Sequence, residues 1–180
     1  MKLVSIIFLL NFWTINLIAQ TIDFKHDWEI KYLEHDIQFT SKRITPLPFS
    51  TTGEPQAIMI FGVSGVDNSK KNDLIQIVIN EMESIKKGFS IIEYLENDYK
   101  PIDNIVSYFE MLGSVQIAII KYRINGKTNG ETIMPRSIRQ IIFIHNHKLY
   151  VSSLIVLFAE DQDNMRNDQM LFINEILGQN

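Results

Sequence analysis

Residues 113–158, GSVQIAIIKYRINGKTNGETIMPRSIRQIIFIHNHKLYVSSLIVLF, decide the fold. Val115 to Ile124 form a strand after Gly113-Ser114. Asn125-Gly126 and Asn129-Gly130 then mark a loop whose glycines reach positive φ. Arg136 to His145 and Lys148 to Phe158 make a hairpin that turns at Asn146-His147. Strands joined by turns this tight pair antiparallel, so this half of the chain is a sheet and the remainder has to cover it.

Upstream, Leu74, Val78, Met82 and Ile85 recur at helical spacing, and Ile75 and Ile79 widen the stripe. Asn68 or Ser69 is placed to cap this helix, and Gly88 stops it after Lys86 and Lys87, whose charges suit a C-terminus. A second helix spans about Asn164 to Leu177, with Phe172, Ile173, Ile176 and Leu177 as its buried stripe. It follows the acidic turn Glu160-Asp161-Gln162-Asp163. Gln56 to Val63, Phe89 to Leu95 and Ile105 to Leu112 supply further strands, and Ile37 with Phe39 a short one. Between Thr45 and Pro55 lie three of the five prolines, which confines that stretch to loop or sheet edge. From Thr21 to about Gln38 the period is poor, with Trp28, Ile30, Tyr32 and Leu33 as buriable positions. The expected class is α+β: an antiparallel sheet carrying a long helix after the first strands and a C-terminal helix.

The chain opens MKLVSIIFLLNFWTINLIAQ. Lys2 precedes an apolar run from Leu3 to Leu10, a more polar stretch follows at Thr14 to Asn16, and Ala19 is small enough for a signal peptidase pocket. This order predicts a signal peptide over residues 1–19, cut at Ala19, and a single domain over 20–180 that is periplasmic or secreted. A retained anchor is the rival reading. The unbroken apolar run falls short of the roughly 20 residues a spanning helix needs, and Lys2 would leave the domain outside in either case.

Cysteine is absent, which excludes a disulfide framework, a thiol nucleophile and thiolate metal sites. Lys and Arg number 17 against 21 Asp and Glu, for a formal net charge of −4, and the basic residues are interspersed. A nucleic-acid surface wants a basic face that this balance does not suggest.

The lead-in Ile44-Thr45-Pro46-Leu47-Pro48, the helix ending at Gly88 and the strand Gly113 to Tyr122 with its polar loop form one set of features. With the hairpin Gln140 to Phe143 through Lys148 to Val151 and the final helix, they resemble the PsbP/Mog1-like superfamily, including small bacterial envelope proteins of the DcrB type. The resemblance is one of element order. It implies an α/β/α sandwich used mainly to bind other proteins, with no shared catalytic residues.

Individual chemistries lack their usual residues. His145 and His147 are spaced to share a strand face and bind a metal ion, but they straddle the expected turn and no third ligand is placed by sequence. Gly62-Val63-Ser64-Gly65 fails the nucleophile-elbow pattern because position 66 is valine, and a Gly-containing turn explains it. Glu81 and Glu83 do not share a helix face. Glu160, Asp161 and Asp163 suit the start of the last helix. The expectation is an exported, non-enzymatic protein that binds another protein, with no cofactor, no nucleic acid and no stable membrane insertion. A small hydrolase with dispersed residues and a carrier of an apolar ligand are the alternatives.

Overall fold

The computed structural model describes residues 19, 21–33, 36–45, 53–65, 73–87, 105–128, 131–157 and 162–178, with backbone alone for 125–128 and 131–134. In chain order the strands are β1 Trp28–Tyr32, β2 Asp36–Ser41, β3 Ile44–Thr45, β4 Glu54–Pro55 and β5 Ala57–Gly65. The helix α1, Leu74–Lys86, comes next, followed by β6 Val106–Leu112, β7 Val115–Thr128, β8 Glu131–His145 and β9 Lys148–Val156. The helix α2, Gln162–Leu177, closes the order. Seven strands join in one sheet, β1-β2-β5-β9-β8-β7-β6, and every pairing is antiparallel. The two-residue strands β3 and β4 pair with each other.

Two tight turns set the register of the right half of the sheet. The β8–β9 hairpin closes at Asn146 and His147, with φ of 48° and 58°, the double positive φ of a type I′ turn. Gly113 takes φ 59° between β6 and β7, a conformation that costs a Cβ-free residue nothing. Asn125-Gly126 is not a loop. β7 runs through it, and the register with β8 shifts between those two residues, because a glycine inside a strand accommodates a bulge.

Both faces of the sheet are covered, which produces the α/β/α sandwich. Ile117, Ile119, Ile141, Phe143, Leu154 and Val156 join Phe39 and Phe61 beneath Met165, Phe172 and Ile173 of α2. Their neighbours Ala118, Ile120, Tyr122, Ile138, Ile142 and Ile155 point the other way, beneath Leu74, Val78 and Ile85 of α1. A strand buried on two sides loses its polar alternation, hence the run Ile117-Ala118-Ile119-Ile120. Phe172 sits edge-on to Phe39 and Phe61, with ring centroids 5.1 and 4.9 Å apart, a geometry that adds to plain burial.

Both helices differ from their expected stripes. The N-cap of α1 is Asp73, whose carboxylate accepts the Ile75 N–H at 3.0 Å; Asn68 and Ser69 lie outside the described residues. The buried line is Leu74, Val78, Glu81 and Ile85, while Ile75 and Ile79 remain 50% and 47% exposed. Glu81 is drawn inward because Gln140 rises from the sheet and donates its amide to Oε1 at 2.9 Å. In α2 the polar pair Asp168 and Gln169 is fully buried, whereas Ile176 and Leu177 are only half-buried. β1 is a strand that the poor period concealed: Trp28 alone is buried in it, and Tyr32 and Leu33 are exposed. The expected strand Phe89 to Leu95, the leader before Ala19 and the residues Glu160 and Asp161 lie outside the described residues.

Candidate functional site

The register that builds the α2-side core also builds a cluster of cations. Ile119 pairs with Ile141; two residues further along the same face Lys121 pairs with Arg139, and two further again Arg123 pairs with Ser137. Side chains two apart share a face. The core row is therefore extended past its aliphatic end, Ile119 and Ile141, by charged residues. The first turns of α2 bring Gln162 and Arg166 over the same ground. Together these residues line an open cleft of about 240 Å³, walled by Val106, Leu154 and Val156. Four of its lining residues are cationic, and no acidic residue lines it among those described.

The cleft's electrostatics centre on Arg139. Burial lowers its pKa, the positive charge of Arg166 adds to the lowering, and Tyr108 and Glu110 oppose it. One guanidinium N–H, from Nη1, reaches the Arg166 carbonyl at 3.3 Å. The Nε atom is buried and has no hydrogen-bond partner among the described residues. Lys121 Nζ lies 4.9 Å from the centre of the Tyr108 ring, over its face. Arg166 meets Asp163 at 3.6 Å, but the Asp163 side chain is 94% exposed, so this pair is solvated and weak.

A second polar cluster ties the ends of the chain together. Asp168 accepts the Lys25 N–H at 2.7 Å and the His26 N–H at 2.8 Å, and its second oxygen also takes the Trp28 indole N–H at 2.9 Å. His26 in turn meets the Ser41 hydroxyl at 2.8 Å through Nε2. Gln169 donates to the Ser152 carbonyl and hydroxyl at 3.1 and 3.0 Å. These groups are spent on one another and hold the N-terminal strap against α2.

The residues singled out by sequence are dispersed. His145 ends β8 and its Nε2 contacts the Asn146 amide at 2.9 Å; His147 is exposed in the turn. Among the described residues no group of three or more His, Cys, Asp or Glu side chains is placed to hold a metal. Gly62 to Gly65 form the end of β5 rather than a turn, paired with Val151 to Lys148. A Cβ at Gly62 would meet Asp36 Oδ1 at 2.6 Å, so the small residue gives the β2 carboxylate its room. Glu81 is sealed under α1. Ala19 is buried in the α2-side core.

Among the described residues the outermost strand on the right, β6, carries the most exposed apolar side chains of the sheet: Val106 at 53%, Phe109 at 39% and Met111 at 62%. Sequence reasoning expected a protein partner without saying which face would meet it, and it missed the cationic cleft altogether. The signal was present as the odd-numbered series 117, 119, 121, 123, but its partner series depends on the hairpin register.

Among solved structures the chain is similar to PA94 from Pseudomonas aeruginosa, a protein of unknown function. The identity is 11% over 79% of this chain and 92% of that one, with a TM-score of 0.43. Cyanobacterial PsbP from Synechocystis sp. PCC 6803 gives 12% identity, 82% of each chain and a TM-score of 0.41. The Ran-binding protein Mog1p of Saccharomyces cerevisiae gives 11%, 83% of this chain, 77% of that one and 0.37. A PsbP and a Mog1 protein are therefore among the solved structures to which the chain is similar. No protein-family model and no curated protein sequence matches the chain.

Proposed function

We propose that this chain is an exported, non-enzymatic binding module whose partner is another protein, engaged along β6. The carrying observation is the edge itself: among the described residues β6 is the last strand of the sheet, and Val106, Phe109 and Met111 stand open on it. An edge strand offers unpaired backbone N–H and C=O groups to an extended segment, and apolar side chains beside them supply the affinity. Phe109 and Met111 lie on the α1 side of the strand, Val106 on the α2 side, so a bound segment would be gripped from both faces.

Export is supported by the order of charge, apolar run and small residue over 1–19. No helix among the described residues is long and apolar enough to cross a membrane.

The test uses the full chain, tagged at its C-terminus and expressed in an envelope-bearing bacterium. The expected product is found outside the cytoplasm with Gln20 as its first residue, and it captures one stoichiometric protein that is lost in the double variant Phe109→Glu, Met111→Glu. An uncleaved cytoplasmic product, or a partner held equally by the double variant, would sink the proposal.

A further inference from the structure

We infer that the cleft between α2 and the ends of β7 and β8 is a binding site for a small phosphate monoester. Lys121 and Arg139 stand directly opposite each other on one face of the sheet. Like charges in that relation destabilise a sheet, and Arg166 brings a third positive charge to the same place. A chain of net charge −4 has carboxylates to spare, yet none of the described ones lines the cleft. Glu110 and Asp163 act on Arg139 and Arg166 from outside it. An anion bound among the three would turn their mutual repulsion into attraction.

The donors fix the class of anion. Guanidinium groups match the oxygens of phosphate and carboxylate alike, but here the cationic donors Lys121, Arg139 and Arg166 approach from three elements, β7, β8 and α2. A tetrahedral group presents oxygens in those several directions, whereas a carboxylate presents two in one plane. Arg139 Nε, buried and without a partner among the described residues, is a donor waiting for such an oxygen. The space, about 240 Å³, is below the range of drug-sized sites and suits a compact ligand. Leu154 and Val156 form an apolar wall for the ester's short stem. The cleft meets the β6 edge at Val106, but its cationic donors lie on β7, β8 and α2, so the site stands if the protein-binding reading fails.

Titration of the full chain with inorganic phosphate and with phenyl phosphate at constant ionic strength, followed by calorimetry, tests the site. Saturable one-to-one binding of both is expected, severalfold tighter for phenyl phosphate, and at least tenfold weaker in Arg139→Gln. Arg139 is packed against α2, so the more exposed Arg166→Gln is the companion variant, expected to weaken binding at least fivefold at an unchanged melting temperature. Absence of saturable binding in the low-millimolar range, or unchanged affinity in Arg166→Gln, would overturn the site. Equal affinity for the two probes would overturn the ester assignment.

Discussion

Trp28 donates its indole N–H to Asp168 at 2.9 Å across 140 residues of sequence, and this bond closes the N-terminal strap onto the C-terminal helix. Two backbone donors, from Lys25 and His26, converge on the same buried carboxylate. Replacing Asp168 by Ala strands three donors at a buried position, which predicts a loss of roughly 3–5 kcal/mol in urea unfolding. Asp168→Asn keeps one carbonyl oxygen and should lose about half as much. A loss under about 1 kcal/mol for the alanine variant would mean that the strap is not held this way.

The bond from Gln140 to Glu81 ties α1 to the centre of the sheet through two buried polar side chains. Gln140→Leu removes the amide and leaves the carboxylate short of a donor, for an expected cost of about 1–3 kcal/mol. In a double-mutant cycle with Glu81→Met the two changes should couple by roughly 0.5–3 kcal/mol, the double variant being more stable than additivity predicts. Simple additivity would show that the contact contributes nothing of its own.

How much of this was legible in the sequence follows from where each residue's neighbours lie. The hairpin from Arg136 to Phe158 was readable because its turn and its alternation are local, and the structure turns at Asn146-His147 as expected. Glu81 was not: a carboxylate on an apolar stripe looks like a boundary until Gln140, 59 residues away, is placed beneath it. The strand β1 was hidden because an outer strand with one buried residue carries no period. The cationic cleft was hidden for a related reason. Lys121, Arg139 and Arg166 become neighbours only through the β7–β8 register and the docking of α2.

Alkaline stability should report on the α2-side core. Burial raises the pKa of the Tyr150 phenol above its ordinary value of 10.0. The folded protein therefore holds this proton more tightly than the unfolded chain, so the contribution is fully present below pH 10 and is lost as the pH climbs through the raised value. Lys148 works in the opposite sense, since burial lowers its pKa from 10.5 and folding is then relieved of a penalty as the pH rises. Tyr150 is much the more deeply placed of the two, stacked on Phe143 with ring centroids 4.8 Å apart. Stability measured between pH 9 and 11.5 should fall in the wild type and fall less steeply in Tyr150→Phe. Identical slopes would assign the alkaline limb to other groups.

The β8–β9 turn places two side-chain-bearing residues in the left-handed region, Asn146 at φ 48° and His147 at φ 58°. Asparagine tolerates that conformation; for histidine the Cβ crowds the following carbonyl, at a cost of about 1 kcal/mol. Asn-Gly is the preferred pair for this turn type. His147→Gly should therefore stabilise the protein by about 0.5–1 kcal/mol despite the extra freedom glycine gives the unfolded chain. His147→Ala keeps the Cβ and should be neutral, because the ring itself is exposed and makes no bond that fixes the turn. Thermal unfolding of the two variants beside the wild type separates the backbone effect from the side chain's. If both variants lose stability, the imidazole is holding the hairpin tip and the backbone account of this turn is wrong.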